Sequence, residues 1–191
     1  MNKSNAIFAD GPARHATAVF AGGCFWCVEH DLREVSGVLD AISGYAGNGE
    51  NPTYENHNGF MEAVEVIYDG SRTTFKKLAQ FFLEHIDPTD SGGQFFDRGK
   101  SYMTAIFCKN LEEQKIAEDL IKELEDSKIY DAPIAVKVLP EPKFYKAEEY
   151  HQRYAEKNPD HYEAYKNGSG RGEFVAKTCA IRDEKKIVWK D

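Results

Sequence analysis

At 191 residues, 41% of them hydrophobic and 29% charged, the chain can bury a core of its own without disulfide or metal staples, as a soluble globular protein does. A formal charge of -8 offers phosphates little and excludes nucleic acid as the main partner. No run of apolar residues reaches membrane-spanning length and residues 1 to 14 lack the apolar centre of a signal peptide, so a cytoplasmic protein with no membrane partner is expected.

Residues 1 to 15 read as a flexible N-terminal arm, and residues 16 to 191 as a single catalytic domain with an extended C-terminal tail. An apolar strand over residues 16 to 20 meets Gly22-Gly23, where the backbone can turn sharply into a helix over residues 24 to 35 with Phe25, Val28, Leu32 and Val35 on related faces. Ser36-Gly37 ends that helix, and a second strand over 38 to 45 runs into a loop rich in Gly, Asn and Pro that extends to Gly59. A third strand covers 61 to 69, with Glu62 at its start and Asp69-Gly70 as its turn. Phe75, Leu78, Ala79, Phe82, Leu83 and Ile86 recur every three or four residues, the pattern of an amphipathic helix over 73 to 86 that Pro88 stops.

A second glycine-bearing loop, 89 to 100, leads to a strand over 102 to 108. Asn110 followed by Glu113 caps a helix carrying Ala117, Leu120, Ile121 and Leu124 on one stripe. Another strand is expected over 132 to 139, then a polar, tyrosine-rich helix over 146 to 157 ending at Pro159, and then the tail. The first six elements run strand, helix, strand, strand, helix, strand. That order predicts an α+β protein: a two-layer ferredoxin-like β-α-β-β-α-β core with an additional helix and strand and a long C-terminal tail.

In a reducing compartment the four cysteines, Cys24, Cys27, Cys108 and Cys179, point to redox, metal or catalytic roles. Cys24 falls at a helix N-terminus, where unpaired N–H groups favour an anion, so its thiol is expected to ionise readily and act as a nucleophile. Phe25 and Trp26 beside it suit a nucleophile that receives a small apolar group. Three other readings compete. Cys24 and Cys27 have the spacing of thiol-disulfide oxidoreductases, although bulky Phe and Trp stand between them. A zinc site lacks a second ligand pair at the right spacing, so no metal is expected. A peptide-docking module would use the aromatic residues without chemistry.

Gly23-Cys24-Phe25-Trp26, Gly44-Tyr45-Ala46-Gly47, Asn51-Pro52-Thr53-Tyr54, Glu62-Ala63-Val64, Asp87-Pro88, Asp97 with Tyr102 five later, and Glu149-Tyr150-His151-Gln152 together resemble the A-type peptide methionine sulfoxide reductases over residues 16 to 172. The resemblance implies reduction of methionine-S-sulfoxide, free or in peptides and proteins, without metal or organic cofactor, and with thioredoxin as reductant. It makes Cys24 the nucleophile and Phe25 and Trp26 the pocket for the substrate methyl group. Glu62, Tyr54 and Tyr102 then surround the sulfoxide oxygen, and Asp97 is a further substrate-site acid. A sulfoxide sulfur is a poor electrophile until its oxygen is protonated, so a carboxyl that stays neutral and two phenols make chemical sense. Attack leaves Cys24 as a sulfenic acid that a second thiol must resolve. Many relatives carry that thiol in a glycine-rich tail, whereas residues 158 to 163 contain no cysteine. Cys27, one helical turn from Cys24, and Cys179, on the tail, are the resolving candidates, with Cys27 favoured because a helix fixes its proximity. Cys108 reads as a buried strand residue. A monomer is expected.

Overall fold

The computed structural model describes residues 15–185 and Trp189; residues 1 to 14 of the expected N-terminal arm lie outside the described residues. In chain order the elements are β1 (His15–Gly22), α1 (Phe25–Arg33), β2 (Val38–Ala46), β3 (Met61–Asp69), α2 (Phe75–Glu84), two short strands β4 (Gly93–Gln94) and β5 (Asp97–Arg98), and β6 (Thr104–Cys108). There follow α3 (Leu111–Ser127), β7 (Lys137–Pro140), β8 (Phe144–Lys146), α4 (Tyr154–Lys157), α5 (Pro159–Gly168) and α6 (Arg171–Lys185). Among the described residues no helix is long and apolar enough to cross a membrane.

A mixed sheet of six strands, ordered β7-β6-β1-β3-β2-β8, carries the helices. All its neighbours are antiparallel except β6 and β7. That parallel pair needs a crossover, and α3 supplies it. Side chains alternate across the sheet: Ala18, Phe20, Ala41, Tyr45, Val64, Val66 and Ile106 face the helices, while Val19, Ala21, Ala63, Ala105 and Phe107 form a second buried cluster. By the same period of two, Glu62 points with Val64 and Val66 towards the helix layer. The register sets it opposite Tyr45.

The helices are held as their patterns require. The Thr74 side chain accepts from Lys77 N–H at the start of α2, whose Phe75, Leu78, Ala79, Phe82 and Leu83 are buried. At α3 the Asn110 side chain accepts from Glu113 N–H, and Ala117, Leu120 and Leu124 are buried.

The C-terminal third departs from the sequence expectation. The strand expected over 132 to 139 is confined to Lys137–Pro140, and the helix expected over 146 to 157 is replaced by β8, a short 3-10 turn and the four-residue α4. Tertiary partners explain the break. The Gln152 amide donates to the Ser43 and Ala147 carbonyls and accepts from Ser43 N–H, which holds Gln152 extended. Arg153, left-handed at φ 52°, donates its N–H to both oxygens of the buried Glu29 at 3.0 and 2.9 Å.

Beyond it the described residues form helices instead of the expected extended tail: α5 and α6 are packed helices joined at Gly170, where φ is +78°. Their polar composition hides a few strong contacts. Tyr162 is buried against Cys24 and Cys27, Phe174 packs edge-on to Phe95, and Arg182 pairs with Glu84. Those contacts come from elements far away in sequence, which is why the local pattern was silent.

Candidate active site

The site forms where β1 ends. Gly22 leaves no room for a side chain, because a β carbon there would come within 2.8 Å of the Phe82 ring and 2.9 Å of Val28. Gly23 adopts φ +78°, and a β carbon on it would approach Gln94 Cβ to 2.4 Å. This turn makes Cys24 the N-cap residue of α1, as its spacing predicts, but its side chain makes no cap hydrogen bond. Gln94 is fixed from below: its carbonyl accepts from Asp87 N–H at 2.9 Å, and its amide donates to Asp87 O at 2.7 Å.

A cavity of about 220 Å³ opens beside Cys24, lined by Cys24, Phe25, Trp26, Tyr54, Glu62, Asp97, Tyr102 and Tyr165. It is below the range usual for drug-sized ligands and suits one side chain. The seven catalytic and substrate candidates of the sequence are thus gathered in one place. Tyr165 is the wall that sequence reasoning missed. Its hydroxyl donates to Asp97, and its ring stands edge-on to Trp26 at 6.1 Å.

Glu62 lies beneath the cavity, 2% exposed, with Oε2 accepting from Phe25 N–H at 3.1 Å, so the first free N–H of α1 is spent on this carboxyl. Burial first, with the nearby Asp97 adding to it, pushes the Glu62 carboxyl up to about 8. It is therefore a neutral acid at pH 7. Burial likewise raises the phenols of Tyr54 and Tyr102, with the Glu62 charge as the next cause, so both remain O–H donors.

Cys24 departs from expectation. Burial first, and then its hydrogen bond to Cys27, raise the thiol well above its usual value. At 5% exposure the loss of water outweighs the field of the helix N-terminus. Cys27, 0% exposed, is shifted the other way, first by the hydrogen bond that Cys24 donates to it. Of the pair, Cys27 is therefore the thiol that gives up its proton more readily. Cys179 lies elsewhere, half-buried on α6 beside Glu84 and Arg182, on an ordered helix and outside the cavity. Cys108 is buried in β6, as expected.

A supporting layer holds these groups. Trp26 Nε1–H donates to His151 Nδ1 at 3.0 Å, and the Tyr154 ring stacks on the indole at 3.8 Å and 8°. Glu148 joins the loop to the sheet, since one oxygen accepts from Tyr54 N–H at 2.9 Å and the other from Tyr45 Oη–H at 2.8 Å. His151 belongs to a motif quoted from the sequence; the roles of Glu148 and Tyr154 depend on contacts that no local pattern signals. Among the described residues no group of three or more His, Cys, Asp or Glu side chains could hold a metal ion.

A buried thiol pair, a neutral carboxyl and three phenols around a single-side-chain cavity define a thiol-dependent oxidoreductase site in which an acid stands ready to protonate an oxygen. The family model for peptide methionine sulfoxide reductase matches residues 16–183. A Bacillus licheniformis peptide methionine sulfoxide reductase MsrA is 48% identical over 163 residues, covering 83% of this chain and 90% of its own. Among solved structures, reduced Mxr1 from Saccharomyces cerevisiae matches with a TM-score of 0.70 at 31% identity, covering 78% of this chain and 88% of its own. Mxr1 in complex with Trx2 matches at 0.54 and 26%, over 78% of this chain and 91% of that one. The chain belongs to the peptide methionine sulfoxide reductase family, and its reaction is the reduction of methionine sulfoxide to methionine.

Proposed function

We propose that this enzyme reduces the S epimer of methionine sulfoxide, free or in peptides and proteins, with Cys24 as nucleophile and Glu62 as general acid. The observation that carries the reading is the neutral, buried Glu62 carboxyl sharing a small cavity with the Cys24 thiol. Phe25 and Trp26 receive the substrate methyl group, Tyr54 and Tyr102 donate to the sulfoxide oxygen, and Asp97, linked to Tyr165, orients the substrate. Glu62 gives its proton to the sulfoxide oxygen while Cys24 attacks the sulfur, and the Cys24 proton passes to the Glu62 carboxylate so formed. The oxygen moves from the methionine sulfur to the Cys24 sulfur as the bond between the two sulfurs breaks, methionine leaves, and Cys24 remains as a sulfenic acid.

Cys27 is the resolving thiol in this reading, supported by its hydrogen bond with Cys24 and by the place of Cys179 on α6 beside Glu84. The Cys24–Cys27 disulfide is then returned to two thiols by a thioredoxin, as the complex of Mxr1 with Trx2 suggests. We read β1, α1, β2, β3, α2 and β6 as a ferredoxin-like core, on the strength of the antiparallel order β6-β1-β3-β2. Residues 16 to 191 then act as one catalytic domain behind an N-terminal arm, as a cytoplasmic monomer.

The test offers each methionine sulfoxide epimer separately, with dithiothreitol as reductant. Only the S form should be consumed, and Cys24→Ser should be inactive yet folded, because a serine hydroxyl caps a helix well but is a poor nucleophile at neutral pH. Consumption of the R form, or near-normal turnover by Cys24→Ser, overturns the reading.

A further inference from the structure

Arg171, the first residue of α6, carries a permanent positive charge into the interior, with 2% of its surface exposed. Its Nη2 donates to Gly22 O at 2.7 Å and its Nη1 to His85 O at 3.1 Å, and the guanidinium lies over the Phe95 ring at 5.1 Å. Among the described residues no carboxylate forms a direct ion pair with it. Carbonyls accept from the guanidinium without neutralising its charge, which Asp31 on α1 offsets from beyond ion-pair distance, and a buried charge without a direct partner is costly.

The anion that answers it is close by. A β carbon on Gly23 would come within 3.4 Å of Arg171 Nη2, so the guanidinium rests against the turn that carries Cys24. Tyr162, on α5, packs against both cysteines. Its hydroxyl is buried without a partner in strict hydrogen-bond geometry among the described residues, and the Cys27 sulfur is its polar neighbour. The other titratable groups that act on Cys27 are Cys24 beside it, Asp31 on α1, Glu62 on β3 and Tyr165 on α5. Of the two carboxyl groups, Asp31 has Lys166 at 3.8 Å and Glu62 is neutral at pH 7.

We propose that Arg171 and Tyr162 make Cys27 the anionic member of the Cys24–Cys27 pair, so that α5 and α6 activate the resolving thiol. The inference rests on the reading of Cys27 as that thiol. Apart from the Cys24 hydrogen bond, the influences that lower the Cys27 thiol are Arg171 and Tyr162, acting against burial and Asp31. In the first step the Cys24 proton passes to the Glu62 carboxylate, so Cys27 keeps its charge. In the second, the Cys27 thiolate attacks the sulfenic sulfur of Cys24 and Glu62 gives that proton to the departing oxygen. The sulfur–oxygen bond breaks, the disulfide forms and water leaves. Cys27 is oxidised and the sulfenic sulfur reduced, and the two protons of the water come from Glu62 and Cys24.

The test follows formation of the Cys24–Cys27 disulfide by mass mapping, after one equivalent of methionine-S-sulfoxide without reductant, across a series of pH values. The wild type is compared with R171M, R171K and Y162F, each checked for folding by circular dichroism. The pH midpoint should rise by about one unit in R171M, which is about a tenfold loss of rate below the midpoint. It should rise in Y162F as well and stay near the wild-type value in R171K. Y162F keeps the ring that packs on the cysteines and decides the matter if R171M does not fold. Wild-type midpoints in Y162F and in folded R171M, or equal displacement in R171M and R171K, overturn the inference while leaving Cys27 as the resolving thiol. A wild-type protein that forms no Cys24–Cys27 disulfide overturns both.

Discussion

Glu62 shows how a single position acquires a chemical identity from its surroundings. On a solvated strand edge it would be a carboxylate, but at the helix-facing end of β3 it is buried, beside Asp97, and holds its proton up to about pH 8. Glu62→Gln should therefore bind substrate yet slow the chemical step by about 10²- to 10⁴-fold in single turnover, since an amide hydrogen-bonds but transfers no proton. The wild-type rate should fall as pH rises through about 8, and the Gln variant should lose that limb of the profile. The same shift governs stability. The folded carboxyl binds its proton more tightly than the unfolded one, so its contribution is fully present below about 4.5 and is lost as pH rises towards about 8. Thermal unfolding of Glu62→Gln beside wild type should thus favour the variant more at the alkaline end of that window than at the acid end.

At the scale of the element, two glycines with the same φ have different duties. Gly23 and Gly170 both stand at +78°, but a β carbon on Gly170 meets nothing within 4 Å, whereas one on Gly23 collides with Gln94. Gly170→Ala should cost about 1 kcal/mol through backbone strain alone. Gly23→Ala adds the overlap, for a total of about 3 kcal/mol, and should displace Cys24 and lower activity. Chemical denaturation of the two variants, with activity measured on each, checks this; equal losses would mean that the loop bearing Gln94 yields freely. The start of α1 also shows the limit of reasoning from one element. A helix N-terminus favours an anion, but the burial to which α5 contributes raises the Cys24 thiol, while the hydrogen bond that Cys24 donates lowers Cys27.

Across the whole molecule, the C-terminal third is fastened to the sheet by a few buried polar groups instead of a broad apolar stripe. The Gln152 side chain alone makes three hydrogen bonds, two to Ser43 and one to Ala147. Gln152→Ala takes this partner from Ser43 N–H and the Ala147 carbonyl, while the Ser43 carbonyl keeps the bond from Ala147 N–H, and should cost about 3 kcal/mol. For a chain of this length that corresponds to a melting temperature lower by about 6–12 °C. A calorimetric scan would detect it. An unchanged melting temperature would show that β8 and the Glu29–Arg153 contact hold the segment without Gln152.

The Gly22-Gly23-Cys24 turn, the apolar strands β1 and β3, and the stripes of α2 and α3 were legible because each rests on residues within a few positions of one another. The ordered motifs also identified the seven residues that line the cavity with Tyr165. The protonation of Glu62, the direction of the Cys24 shift, and the helices in place of a tail were not legible in that way. Each depends on partners brought together from a distance: Glu62 with Phe25 across 37 residues, Trp26 with His151 across 125, and Arg171 with Gly22 across 149. Local sequence specifies backbone preference and chemical type, but burial and the field at a titratable group are sums over neighbours in space, which exist only once the chain has closed around them.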